Sequence, residues 1–153
     1  MLKKSKATSL AIGVAAVLLG SLVAWLVART DLPAKRVVAT VAVIPYVLPS
    51  YTLALAWLNA FRTERVGGGA GAYHAFFGVD PPEWLAYGFL PIVVTMTLHY
   101  YPFAYLMVSG ALASVDAQLE EAGEVLGAGR WAILRRVSFP LILPAILSAF
   151  FLT

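Results

Sequence analysis

The side chains able to carry chemistry gather in three places. His99, Tyr100, Tyr101 and Tyr105 lie together in an uncharged run, and phenolate oxygens beside an imidazole would suit a hard ferric ion. One neutral histidine, with hydroxyls bonded to backbone between packed helices, accounts for the same residues more simply. No metal ligand is therefore assigned, and His74, alone in a polar loop, carries still less weight. The second place is Gly67 to Gly71, GGGAG, which has the glycine density of a phosphate-binding loop. Such a loop follows a strand and closes on Gly-Lys-Ser/Thr at a helix start. Neither is present, so no ATP site and no cofactor is expected on this chain. The third place is 119–144, LEEAGEVLGAGRWAILRRVSFPLILP, the one long segment where charges return in force between two oily runs.

The chemistry available to that third segment is docking rather than catalysis. Asp116 can cap a short helix, and Glu120 and Glu121 then fall in its first turn, where the helix dipole favours negative charge. Leu119, Ala122 and Leu126 are three and four apart and make one narrow apolar stripe. Gly127 and Gly129 are expected to end the helix, since glycine accepts the left-handed conformation without steric cost. A second helical stretch over 130–137 carries Trp131, Ile133 and Leu134 beside Arg135 and Arg136. The product is a helical hairpin over 116–138 with a polar face, lying at a membrane surface. An ordinary amphipathic connector would account for such a hairpin. The spacing argues otherwise: Glu121-Ala122-Gly123, three residues, Gly127, nine residues, then Val137-Ser138-Phe139-Pro140. This resembles the cytoplasmic coupling motif of bacterial ABC importer permeases, E-A-A, three residues, G, nine residues, I-x-L-P. Gly123, Val137 and Phe139 depart from it.

Composition says what the hairpin is attached to. Of 153 residues 61% are hydrophobic and only 12% charged, with a mean hydropathy of +0.83. Soluble domains carry roughly 25% charged residues, so half that share argues for burial in lipid. The net charge of +3 comes without a Lys/Arg block or interleaved aromatics, which excludes a nucleic-acid surface. There are no cysteines, which excludes disulfides, cysteine zinc sites and thiol catalysis.

The elements that position the hairpin follow from uncharged runs. Residues 9–28 carry no charge and would extend about 30 Å as a helix, a bilayer core. That is longer than a secretory signal core, and a membrane span is expected despite Lys3, Lys4 and Lys6 ahead of it. Gly13 and Gly20 would admit a close helix neighbour, although they do not form a GxxxG pair. A polar hinge follows, with Pro33 breaking the helix. The second span covers 37–61, where Pro45 and Pro49 deprive carbonyls of their partners and predict a kink or local unwinding. A plain kink and a wall of a translocation path both fit it. Residues 62–83 read as a flexible, glycine-rich connector. The third span is expected over about 86–114, with Trp84 and Tyr87 as interfacial anchors and Pro91 in the first turn. An apolar stretch over 139–153 reads as the start of a fourth span. At about 22 Å it falls short of the roughly 30 Å core, so the chain is expected to be a fragment.

The fold expected is thus an all-α polytopic membrane protein, part of a type I ABC importer permease domain. LVAWLVARTDLPAKR (22–36) and IPYVLPSYTLALAW (44–57) are similar to ferric iron permeases. The resemblance implies an inner-membrane subunit that couples ATP hydrolysis by cytoplasmic ATPase subunits to solute uptake, ferric iron first and thiamine, polyamine or another small solute as alternatives. It implies a second permease half and an extracytoplasmic substrate-binding protein as partners. It also makes Glu121, Ala122, Gly123, Gly127 and Pro140 the coupling residues. Charge leaves the orientation to the motif: Lys3, Lys4, Lys6, Arg62 and Arg65 would lie outside, against Arg29, Lys35, Arg36, Arg130, Arg135 and Arg136 inside. A membrane-embedded enzyme using His99 is the rival, and it lacks a second ionisable residue within the spans.

Overall fold

The computed structural model describes residues 2–64, 69–115, 123 and 125–153, and among these there are helices and turns but no strand. Helix α1 runs Leu2–Arg29, rich in Ala, Leu and Val and free of proline. It ends where the Thr30 amide and hydroxyl both donate to the Leu26 carbonyl. Arg29 in the last turn complements the dipole there, and its guanidinium reaches the Leu112 carbonyl at 3.4 Å.

The stretch expected to kink is broken outright. Helices α2 (Lys35–Val47) and α3 (Ser50–Phe61) meet at 96°. Leu48 is extended there (φ −77°, ψ 138°), because a residue before proline is pushed out of the helical region by the Pro49 ring. Pro45, by contrast, is carried inside α2. With 13 and 12 residues, neither helix alone reaches the roughly 30 Å of a bilayer core.

The stretch expected to be a flexible, glycine-rich connector carries short helices in its described residues 69–88. It holds α4 (Ala72–Phe77) and α5 (Glu83–Ala86). The Gly71 amide donates to the Arg62 carbonyl at 2.8 Å, and Arg62 Nε donates to the Gly69 carbonyl at 2.9 Å. After Gly88, held at φ 103°, the long helix α6 (Phe89–Ser114) begins. Pro91 does fall in its first turn, and Thr95 Oγ1 donates back to the Pro91 carbonyl at 2.7 Å. Pro102, fully buried, is tolerated mid-helix, as membrane helices allow when neighbours cover the freed carbonyl.

The C-terminal part joins without a gap: α7 (Arg130–Ile133), a π-turn (Leu134–Ser138) and α8 (Phe139–Leu152). The boundary expected between a hairpin arm ending at 137 and a half-span starting at 139 is therefore absent. Trp131–Leu152 is one helical stretch of 22 residues, long and apolar enough to cross a membrane, as are Ser5–Arg29 and Glu83–Ser114. The bent α2–α3 pair would be a fourth crossing if it counts as one.

Helix α6 is the hub on which α1, α2, α3 and α8 pack. One core cluster joins Ala24, Ala42, Tyr105, Val108, Leu112 and Ile142, and a second joins Val17, Ala104 and Ala149. The α1–α6 crossing depends on small residues four apart: Ala16, Gly20 and Ala24 are all buried. A Cβ at Gly20 would lie 2.5 Å from the Tyr101 carbonyl oxygen and 2.7 Å from the Tyr105 nitrogen. The backbones touch there, the packing that replaces hydrophobic driving force inside lipid.

Candidate functional site

The hairpin segment is built around two glycines. Gly127 has φ 79°, and the Ala128 amide donates to the Gly123 carbonyl at 3.0 Å. A left-handed residue just past a helix, with a bond reaching five residues back, is a glycine-dependent helix stop. Gly129 does not share the role expected of it: its φ is not in the left-handed region, and its carbonyl instead accepts from Ala132 (2.8 Å) and Ile133 (3.1 Å). One glycine ends the first arm and the other opens the second.

The arms close through Ile133, which is buried. A Cβ placed on Gly123 would lie 3.0 Å from Ile133 Cγ1, so an alanine there would need the isoleucine to yield by a few tenths of an ångström. The glycine where the motif usually has alanine thus fits a local close approach. At the turn, Val125, Leu126 and Trp131 are 87%, 86% and 74% exposed. Exposed apolar side chains of this kind, with Arg135 and Arg136 also exposed farther along the chain, suit a protein partner rather than catalysis.

Pro140 stands apart from the two glycines, exposed in the first turn of α8. Immediately before it the Phe139 amide donates to the Leu134 carbonyl, the five-residue reach of a π-turn. A proline ring collides with the carbonyl four residues back in an α-helix, here that of Arg136, and a wider turn gives that carbonyl room. Ser138, within the π-turn, is buried. Glu121 and Ala122, with the expected Asp116 cap and the Leu119 stripe position, lie outside the described residues.

The other chemical candidates are dispersed. His99 Nδ1 and Thr97 Oγ1 are buried in α6 with no hydrogen-bond partner among the described residues, and the His99 ring stands edge-on to Tyr100 at 5.1 Å. Tyr105 is a core residue, and His74 Nδ1 pairs with Asp80 Oδ1 at 2.9 Å in the α4 loop. Among the described residues no three His, Asp or Glu side chains gather to hold a metal. The sequence pointed to Gly20 as a place of close helix approach, and the structure bears this out; it did not single out Ile133 as the closing contact, or Ala16 and Ala24 flanking Gly20 at a spacing of four. The latter two were legible as small residues at that spacing.

Residues 11–153 match the family described as binding-protein-dependent transport system inner membrane component. The chain belongs to that family. It is therefore a multi-pass protein of the bacterial inner membrane, with the all-α permease fold, and a transport component, not an enzyme. The sulfate transport system permease protein of Synechocystis sp. (strain ATCC 27184 / PCC 6803 / Kazusa) is 30% identical over 133 residues, covering 87% of this chain and 44% of its own. The molybdenum transport system permease protein of Escherichia coli (strain K12) is 30% identical over 128 residues, 84% of this chain and 53% of its own. A ferric transport system permease protein of Actinobacillus pleuropneumoniae is 29% identical over 109 residues, 71% of this chain and 15% of its own. The chain spans about half or less of the length of the curated relatives it matches.

Proposed function

We propose that this chain forms part of the permease of an ABC importer, and that the turn at Gly123 to Gly129 docks in a cleft on a cytoplasmic ATPase subunit. The observation that carries this reading is the left-handed Gly127 turn, closed by the Ala128–Gly123 hydrogen bond, with Val125, Leu126 and Trp131 exposed around it. Closure of the ATPase pair would displace the turn. The continuous helix from Arg130 to Leu152 would carry that displacement to α6 and α1, against which α8 packs. Glu121, Ala122, Gly123, Gly127 and Pro140 are the coupling residues in this scheme. A second permease half and an extracytoplasmic substrate-binding protein complete it.

For the cargo the reading is ferric iron, supported by the likeness of 22–36 and 44–57 to ferric permeases and by the ferric relative. The sulfate and molybdenum relatives, whose alignments cover more of the chain, favour a competing oxyanion reading. Two experiments test the proposal. The full-length permease carrying Leu126→Asp, purified with its ATPase, is expected to lose that subunit while remaining in the membrane; an unchanged complex would refute docking at this turn. Uptake of labelled ferric iron, sulfate and molybdate by the complete importer then decides the cargo, and transport of an oxyanion alone would overturn the iron assignment.

A further inference from the structure

The α4–α5 segment presents aromatic surface that the helix packing leaves uncovered: Phe76, Phe77 and Trp84 are 86%, 68% and 65% exposed, and Val79 is exposed beside them. This surface is held in place. Rings run from α3 into α4 as Trp57–Phe61 (4.6 Å), Phe61–Tyr73 (6.0 Å) and Tyr73–Phe77 (4.8 Å). Trp57 Nε1 donates to the Leu85 carbonyl at 2.9 Å, and the Thr63 amide donates to the Tyr87 hydroxyl at 3.2 Å. A Cβ on Gly71 would lie 2.8 Å from the Ala60 carbonyl oxygen, so the start of α4 lies against the end of α3.

Those ties fix its place beside the end of α3. Trp57 sits one turn before the end of α3, so α5 is drawn back alongside that turn rather than projecting into water. Phe89 opens α6, whose 26 residues rise about 39 Å. That exceeds a core of roughly 30 Å, so a helix centred in the core would bring the residues just ahead of Phe89 to the headgroup level. Phe89 and Ile92, which open this span, are exposed apolar residues as well. Aromatic side chains with an apolar body are the residues that favour this layer. Residues 69–88 contain no Lys or Arg, so attraction to anionic lipid is not what would hold the segment there.

We infer that α4 and α5 form an interfacial anchor, with Phe76, Phe77, Val79 and Trp84 inserted at the boundary between headgroups and acyl chains. Its occupant is lipid, zwitterionic as readily as anionic, and it would brace the ends of α3 and α6 against the bilayer. That the leaflet is the outer one rests on the transport reading; insertion into lipid does not.

The test uses the full-length permease, freed of any cysteines, in phosphatidylcholine proteoliposomes. Spin labels at Phe76→Cys and, separately, Val79→Cys are expected to collide several-fold more often with oxygen than with a water-soluble nickel chelate. The tryptophan emission lost on Trp84→Phe, with Trp57 left in place, should lie at short wavelength and be quenched by lipids brominated near the headgroup. Greater exposure to nickel, with Trp84 quenched by aqueous acrylamide instead, would overturn the anchor. So would shielding that appears only when the substrate-binding protein is added, which would make this a protein-docking face. Adding anionic lipid should leave both readouts unchanged, and a marked increase in insertion would refute the uncharged mode of binding. Accessibility of the same cysteines to an impermeant reagent in intact cells reports the leaflet separately.

Discussion

Gly127 is the residue whose conformation the proposed role most depends on. At φ 79° a β-branched side chain is strained by about 1–3 kcal/mol, and the space around it is open, so the strain is in the backbone and not in packing. Gly127→Val in the full permease should leave membrane abundance near normal, abolish uptake and release the ATPase subunits during purification. Wild-type uptake with the ATPase bound would reduce this stretch to a connector. Glu121→Ala should be milder, since it removes one charged contact and keeps the turn. Gly20 makes the opposite case, because its φ is ordinary and its neighbours are too close. Gly20→Val would drive a side chain into the Tyr101 carbonyl and the Tyr105 amide, an overpacking cost of about 1–3 kcal/mol or more. The expected outcome is a lower melting temperature in detergent and reduced abundance, measurable by thermal-shift and membrane blots, with any loss of uptake following abundance.

At the scale of the element, the π-turn between α7 and α8 sets the rotational phase between the hairpin and the packing face of α8. Ile142 and Ala149 are buried on that face while Trp131, upstream of the turn, is exposed. Pro140→Ala restores the amide and removes the ring that crowds the Arg136 carbonyl. Relaxation to an α-helix would rotate the upstream segment by about 100° per residue absorbed. Uptake should fall with abundance preserved, and a cysteine introduced at Trp131 should change the ATPase positions it cross-links. Unchanged cross-links would mean the turn does not set this phase. The α2–α3 break has an equally local cause, a proline fixing the residue before it in extended backbone.

At the scale of the whole molecule the testable statement is sidedness. If the hairpin meets a cytoplasmic ATPase, Ser114 faces inward and the 62–88 segment faces outward. In a cysteine-free full-length permease, Ser114→Cys and Ala70→Cys should respond differently to an impermeant thiol reagent on intact cells, with only the residue at 70 labelled. The opposite pattern would overturn the orientation and the coupling role with it. Nearly balanced Lys and Arg across the membrane make this a measurement the charge rule cannot replace.

The sequence by itself determined the class and the glycine stop at 127. Uncharged runs of 20 residues and more match helices in lipid, where every backbone donor finds its partner within its own segment. The spacing of Gly123, Gly127 and Pro140 carried the family resemblance, and a glycine required by backbone conformation is visible without any neighbour. Tertiary structure decided what depends on distance between helices: that Ala16, Gly20 and Ala24 line the α1–α6 crossing, that Ile133 closes on Gly123, and that Trp57 draws α5 back against α3. It also decided which of these prolines breaks its helix. Every proline pushes the residue before it away from the helical region, and Leu48 yields before Pro49, whereas Pro45 and Pro102 are carried within packed helices.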